Sequence, residues 1–138
     1  MFIQLNFRAY SLKITVTIKI DWNVSLVGKP IPASYITKVT NGTVLVDILN
    51  KAAGDDKTGP FNKYNSTYYG GLGYQVTAMN GTEQDPATNT YWLIFDEQTR
   101  ALTPCGMSSY APANVSSTIF RLTQYPSHNN QSVSGFCK

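Results

Sequence analysis

The side chains that most often carry catalysis are few and isolated in this sequence. The single histidine, His128, lies in "PSHNNQS", a segment with no acidic residue. A nucleophile needs a base and an orienting group within hydrogen-bond reach, and this segment does not offer that combination. The motifs H-E-x-x-H, G-x-S-x-G and C-x-x-C do not occur, and "YGGLGY" lacks the G-x-G-x-x-G spacing. The sequence therefore predicts a protein that is not an enzyme.

Two acidic pairs, Asp55-Asp56 and Asp96-Glu97, are the candidates for a metal site. Their oxygen ligands would suit calcium, but the spacing of an EF-hand loop is missing. Solvated carboxylates in turns are the commoner role of such pairs. We therefore predict no metal site and no resident cofactor from these residues.

N-glycosylation triplets point to an extracellular protein. The chain has 11 Asn and 26 Ser plus Thr, so chance pairing predicts about two N-x-[ST] triplets, whereas it contains six. Such an excess indicates a secreted glycoprotein that carries N-linked glycans on its surface. The six acceptor residues are Asn23, Asn41, Asn65, Asn80, Asn114 and Asn130.

The two cysteines suit the same compartment. Cys105 and Cys137 allow one intramolecular disulfide. It would close a loop of about 32 residues and stabilise the fold by roughly 3–4 kcal/mol. It would also hold the tail formed by residues 126–138, whose composition is otherwise typical of disorder.

Composition and charge exclude several classes of protein. Hydrophobic residues make up 42% and charged residues 14% of the 138 positions, which is typical of one globular domain. The net charge of +3 comes from scattered lysines and arginines, which argues against nucleic-acid binding. No apolar run reaches the ~18 residues of a membrane span. The first residues also lack the pattern of a signal peptide.

The apolar periodicity predicts an α+β domain. From Ile14 to Leu26 apolar and polar residues alternate, as in a half-buried strand. Around residues 43–54 the spacing instead predicts a helix, with Thr43 as N-cap and Gly54 at the C′ position. Further strands are predicted at residues 34–39, 74–80, 90–98 and 116–125, and residues 55–73 are interpreted as turn-rich. The apolar stripe of the helix consists of Leu45, Ile48, Leu49 and Ala52.

The N-terminal residues 1–13 form a second amphipathic strand pattern, with Ile3, Leu5 and Phe7 on one side. If residues 3–26 stay extended, they span roughly 79 Å at ~3.3 Å per residue. A domain of this length is only about 37 Å across. The pattern therefore predicts a strand arm that adds to a sheet edge of the next subunit and builds a filament of identical chains.

The pair Tyr91-Trp92 at the start of "TYWLIFDEQ" has two interpretations. Alternation along a strand places one of the two aromatic rings in the core. The other ring would either complete the packing or contact a ligand or a neighbouring chain.

Two segments resemble a known family. "TVLVDILNKAA" and "TYWLIFDEQTRALTPCGMSSYAPANVSSTIFRLTQY" resemble the C-terminal β-domain of the cobalamin carriers transcobalamin and intrinsic factor. The resemblance implies a β-grasp-like fold over residues 14–125, in which a mainly antiparallel sheet grips one helix. It also implies corrinoid contacts, and cobalamin as the bound cofactor, near Tyr91, Trp92, Met107 and Tyr110. The helical barrel of those carriers has no counterpart within 138 residues.

Two functions are consistent with these observations. The first is a non-enzymatic, extracellular structural glycoprotein that assembles with itself through the N-terminal arm. The alternative is a cobalamin-type ligand-binding module equivalent to the lid domain of a carrier.

Overall fold

The computed structural model describes residues 12–23 and 33–124. Within these ranges the chain forms seven strands and one α-helix, together with two short 3-10 turns at Pro60–Asn62 and Pro86–Thr88. The strands are β1 (Lys13–Asp21), β2 (Ala33–Thr40), β3 (Tyr64–Tyr69), β4 (Gly73–Met79), β5 (Thr82–Glu83), β6 (Thr90–Asp96) and β7 (Ser116–Gln124). The helix α1 spans Leu45–Asp55.

The larger sheet has four strands in the order β2-β1-β7-β6. The two central strands, β1 and β7, are parallel, and each pairs antiparallel with its outer neighbour. Parallel central strands place the first and last strands of the domain side by side. With one helix packed on the sheet, this is the α+β architecture that the sequence predicts.

One face of this sheet and one side of α1 form the core. The alternation along β1 buries Ile14, Val16, Ile18 and Ile20, as the sequence pattern predicts. Burying four such side chains contributes on the order of 1.5–3 kcal/mol each. The predicted apolar stripe of the helix is also correct, since all four of its members, Leu45, Ile48, Leu49 and Ala52, are fully buried.

A second, three-stranded sheet in the order β3-β4-β5 adds to the core. Two tryptophans of the larger sheet hold its β4–β5 turn. Trp22 donates from Nε1 to the carbonyl of Met79 at 3.3 Å, and Trp92 donates to the carbonyl of Thr82 at 3.0 Å. The rings therefore fill the core while both indole N–H groups are satisfied.

The predicted helix caps were wrong. The N-cap position is Val44, which makes no side-chain capping bond, and Thr43 donates its hydroxyl to the carbonyl of Thr40 instead. Gly54 lies inside the last helical turn, and the C-cap residue is Asp56. The first turn of α1 needs no capping side chain because backbone carbonyls of a distant loop accept its N–H groups, as described below.

Several sequence predictions lie outside the described residues. They concern the arm residues Ile3, Leu5 and Phe7, the strand continuation through Val24 and Leu26, and the tail with Asn130 and Cys137. In the described part of the chain, no helix is long and apolar enough to cross a membrane.

Candidate functional site

The most exposed cluster of large apolar side chains lies at the tip of the β3–β4 hairpin. Tyr68 is 62% exposed, Tyr69 and Tyr74 are each 44% exposed, and Leu72 is 37% exposed. The rings of Tyr68 and Tyr74, which are direct cross-strand neighbours, meet edge to face with centroids 5.1 Å apart. Tyr69, the next residue of β3, points to the other face of the hairpin. We call these four residues the hairpin-tip patch. Exposed apolar residues that cluster in this way mark binding surfaces more often than isolated ones do.

Glycines allow the hairpin to turn at this point. Gly71 and Gly73 have φ of +83° and +82°, the left-handed region that residues with a Cβ rarely adopt. At Gly73 the close approach of a neighbour adds a second requirement. A Cβ there would lie 2.6 Å from the side chain of Ser108.

The loop Cys105–Tyr110 contacts both the hairpin and the N-terminus of α1. The hydroxyl of Ser108 accepts a hydrogen bond from the backbone N–H of Tyr74 at 2.8 Å. On its other side the loop caps α1, because the carbonyls of Met107 and Tyr110 accept the N–H groups of Val46 and Leu45 at 2.8 and 2.7 Å. The loop thus joins the helix N-terminus to the hairpin and fixes the position of the patch.

The hairpin that carries the patch has no charged side chain. Residues 64–82 contain no Asp, Glu, Lys, Arg or His. Burial raises the pKa of Tyr64, at the base of the hairpin, and that of Tyr110 in the supporting loop, so both phenols are neutral at physiological pH. Such a surface can recognise a flat, apolar ligand by ring contacts and by hydrogen bonds from phenol groups, without ion pairing.

The predicted ligand contacts are divided between different environments. Trp92 is 5% exposed and Met107 is fully buried, so a ligand at the surface does not reach them in this structure. Tyr91 is half-buried on the face of the larger sheet that points away from α1. Tyr110 is half-buried beside the core, in the loop that supports the hairpin. Met107 and Tyr110 belong to the loop that contacts the hairpin through Ser108, whereas Tyr91 and Trp92 lie in β6.

Sequence reasoning missed β3, the first strand of the hairpin, whereas the sequence predicts the second strand at residues 74–80. The turn-rich interpretation of residues 55–73 includes "YNSTYYGGLG", although Thr and Tyr favour strands. A signal was present in the two glycine-flanked tyrosine groups, because glycines at a turn between aromatic residues fit a hairpin.

The acidic pairs have structural partners. Asp55 accepts hydrogen bonds from Tyr35 and, at 2.9 Å, from Lys51, and these two contacts lower the pKa of its carboxyl group. Lys19 contacts both carboxylate oxygens of Glu97 at 2.9 and 2.8 Å, which lowers the pKa of Glu97. Among residues 12–23 and 33–124, no group of three or more His, Cys, Asp or Glu side chains could hold a metal ion.

The glycosylation triplets in the described ranges differ in accessibility. Asn41, Asn65 and Asn114 are exposed. Asn80 is half-buried, and so is Asn23, whose amide donates to the carbonyl of Leu122 at 3.1 Å. Occupancy of all six sites stays a prediction.

Cys105 is buried, and no cysteine of the described part of the chain is a free thiol. Its pairing with Cys137 stays a prediction, because Cys137 lies outside the described residues.

Solved structures reveal what this fold resembles. Over 83% of its length the chain superposes on haptocorrin in complex with Cbi, with a TM-score of 0.70 and 20% sequence identity. This chain has the fold of that part of haptocorrin. The match spans only 26% of the haptocorrin chain. The resemblance to cobalamin carriers predicted from the sequence is therefore confirmed for the fold.

The fold also makes up nearly the whole of another solved chain. A candidate metal-binding protein from Ruminococcus gnavus ATCC 29149 matches 81% of this chain with a TM-score of 0.57 and 11% identity, over 98% of its own length. No protein-family model matches the sequence, and neither does any curated protein.

Proposed function

We propose that this domain is a non-enzymatic, extracellular module that binds a corrinoid-type ligand as part of a larger carrier. The observation that carries this proposal is the superposition of most of the chain on about a quarter of haptocorrin. A domain of this kind would cover a ligand whose remaining surface is held by another domain or chain.

The hairpin-tip patch is the surface that we assign to the ligand. Tyr68 and Tyr74 offer ring faces and edges to a flat macrocycle, and their phenol groups can bond to its amide side chains. The absence of charge in residues 64–82 favours a large, mostly uncharged ligand over a small ion. We also expect Ser109 and Tyr110 to contact the ligand, because they belong to the loop that supports the hairpin.

The experiment is a titration of the full chain with cobalamin, followed by absorbance and by calorimetry. Because a lid alone covers only part of the ligand, we expect a weak dissociation constant, on the order of 0.1–1 mM. The Tyr74→Ala variant should weaken binding about three- to tenfold, the usual value of one aromatic contact. Tyr91→Ala is the matched control, because this tyrosine lies on the opposite face of the larger sheet.

Two results would reject the proposal. One is the absence of any signal at millimolar cobalamin. The other is an equal loss of affinity in Tyr74→Ala and Tyr91→Ala, since binding would then not depend on the hairpin.

The extracellular location is part of this proposal. It is supported by the exposure of Asn41, Asn65 and Asn114 in the folded domain. Expression in a eukaryotic secretory system, followed by treatment with an endoglycosidase, should lower the mass of the protein. An unchanged mass would contradict the glycoprotein assignment.

Self-assembly through Ile3, Leu5 and Phe7 stays a prediction from the sequence. No observation on the described residues supports it, so it is not included in the proposed function.

A further inference from the structure

A second cavity lies on the face of the larger sheet that points away from α1. It has a volume of about 470 Å³, within the range of small-molecule sites. Phe95 and Ile119, which are directly paired across β6 and β7, form its apolar floor. We call this cavity the outer groove.

The carboxylates around the outer groove are already engaged within the protein. Glu97 accepts two hydrogen bonds from Lys19. Asp21 accepts one from the backbone N–H of Asn23 at 2.9 Å, and Asp96 accepts one from the N–H of Gln98 at 2.8 Å. Their capacity to bind an external cation is reduced accordingly.

The two arginines that line the groove are much less engaged. Arg121 approaches Asp21 only loosely, with Nε at 3.4 Å from Oδ2, and its side chain is half exposed. In the described part of the chain, the guanidinium of Arg100 forms no ion pair or hydrogen bond. The unused hydrogen-bond donors of the groove are therefore those of the two guanidinium groups, which match a carboxylate in geometry and charge.

The backbone at Arg100 supports a functional role for this residue. Its φ is +60°, in the left-handed region where Gly or Asn is favoured. A long side chain in such a conformation costs stability, and strained residues of this kind cluster at functional sites. An arginine at this position places a cation at the rim of an apolar cavity.

We propose that the outer groove binds a small amphipathic carboxylate. The apolar body of the ligand lies on Phe95 and Ile119, and its carboxylate accepts hydrogen bonds from Arg100 and Arg121. This site is separate from the hairpin-tip patch and does not rest on the proposed carrier function. The two sites also differ in chemistry, because the patch has no charged group with which to select an anion.

The test uses 3-phenylpropanoate as the probe and the full chain labelled with ¹⁵N for NMR. We expect the amide signals of residues 95–97 and 119–121 to shift, with a dissociation constant on the order of 1 mM. The neutral isostere 3-phenylpropanamide should bind at least about tenfold more weakly, since it lacks the charge that the arginines recognise.

Variants distinguish specific recognition from apolar contact alone. Arg100→Gly and Arg121→Gln should each weaken binding of 3-phenylpropanoate about tenfold. Lys38→Gln, which removes an exposed lysine from β2 outside the groove, should change it less than twofold. We expect Arg100→Gly to keep or improve the stability of the fold, because glycine favours a positive φ, so thermal unfolding of this variant checks that a loss of binding does not reflect unfolding.

Three results would overturn the proposal. The first is equal affinity for the carboxylate and for the amide. The second is a loss in Lys38→Gln as large as that in Arg100→Gly. The third is the absence of shifts in these residues at about 10 mM probe, ten times the expected dissociation constant.

Discussion

The hairpin-tip patch and the outer groove both offer apolar side chains to a ligand, yet they are built in opposite ways. The patch comes from one local hairpin, and no charged residue lies within residues 64–82. The groove combines residues of β1, β6 and β7, which are far apart in the sequence, and surrounds an apolar floor with charges. The two surfaces lie on opposite sides of the larger sheet.

This difference indicates that the domain separates two kinds of recognition. An uncharged aromatic surface binds through contact area and is nearly insensitive to salt. A groove with guanidinium donors selects by charge and responds to ionic strength. Variants that change one surface and leave the other intact test this separation.

The largest effect is expected at Gly73, where the patch is joined to its supporting loop. Gly73→Ala places a Cβ 2.6 Å from Ser108 and forces φ of +82° on a residue that disfavours it. We expect the free energy of unfolding to fall by about 2 kcal/mol, measured by urea denaturation. Gly70→Ala is the control, because a Cβ at Gly70 meets no atom within 4 Å. Gly70→Ala should change the free energy of unfolding by no more than about 0.5 kcal/mol.

The same variant separates the two surfaces. Gly73→Ala should abolish the response to cobalamin and leave the binding of 3-phenylpropanoate unchanged. An equal loss of both responses would contradict the independence of patch and groove.

A smaller effect concerns the ring pair within the patch. A double-mutant cycle with Tyr68→Ala and Tyr74→Ala should give a coupling energy of roughly 0.5–1 kcal/mol, because the two rings meet edge to face across the strands. Tyr69 belongs to the same hairpin, and no ring contact joins it to Tyr74 in the described residues. The corresponding cycle for Tyr69 and Tyr74 should therefore give a coupling close to zero. Equal couplings in the two cycles would show that ring geometry is not the cause.

The stability of the Arg100→Gly variant tests whether Arg100, at the rim of the groove, strains the backbone. Arg100→Gly relieves the left-handed backbone strain but adds freedom to the unfolded chain, so we expect a net gain of about 0.5 kcal/mol. Gln98 lies in the same turn and does not have a positive φ. Gln98→Gly should therefore lower the free energy of unfolding by about 0.5 kcal/mol. Thermal unfolding of both variants measures the difference. A loss in Arg100→Gly equal to that in Gln98→Gly would show that no strain is stored at Arg100.

The local elements of the core were predictable from the sequence. Each burial pattern repeats within a single strand or helix, as in the alternation from Ile14 to Ile20 and the apolar stripe from Leu45 to Ala52. The α+β class follows from these elements alone. The resemblance in Thr90–Tyr125 added the expectation of a β-grasp-like arrangement.

The features that define the candidate sites were not predictable in this way. The helix N-terminus is capped by backbone carbonyls of Met107 and Tyr110, and carbonyls have no signature in a sequence. The groove depends on the parallel register that places Lys19 beside Ile119, which is a long-range property. Strand β3 was not predictable because the glycines that follow it indicate a turn, while its own residues lack a clear polar–apolar alternation.

The smallest effect is a pH dependence that belongs to the groove and not to the patch. The hydrogen bonds from Lys19 lower the pKa of Glu97 in the folded state below its value in the unfolded chain. The stabilisation is therefore fully present above the unfolded pKa and is lost as the pH falls through the folded pKa. Because the Glu97 side chain is 40% exposed, solvent screening limits the effect to about 0.3 kcal/mol.

Glu97→Gln should therefore lower the free energy of unfolding slightly at pH 7 and have no effect in acid, once the carboxyl group is protonated in both states. Adding about 1 M salt at pH 7 should reduce the difference, because the pair lies at the surface. A difference that persists in acid would mean that packing of the side chain, and not its charge, is responsible.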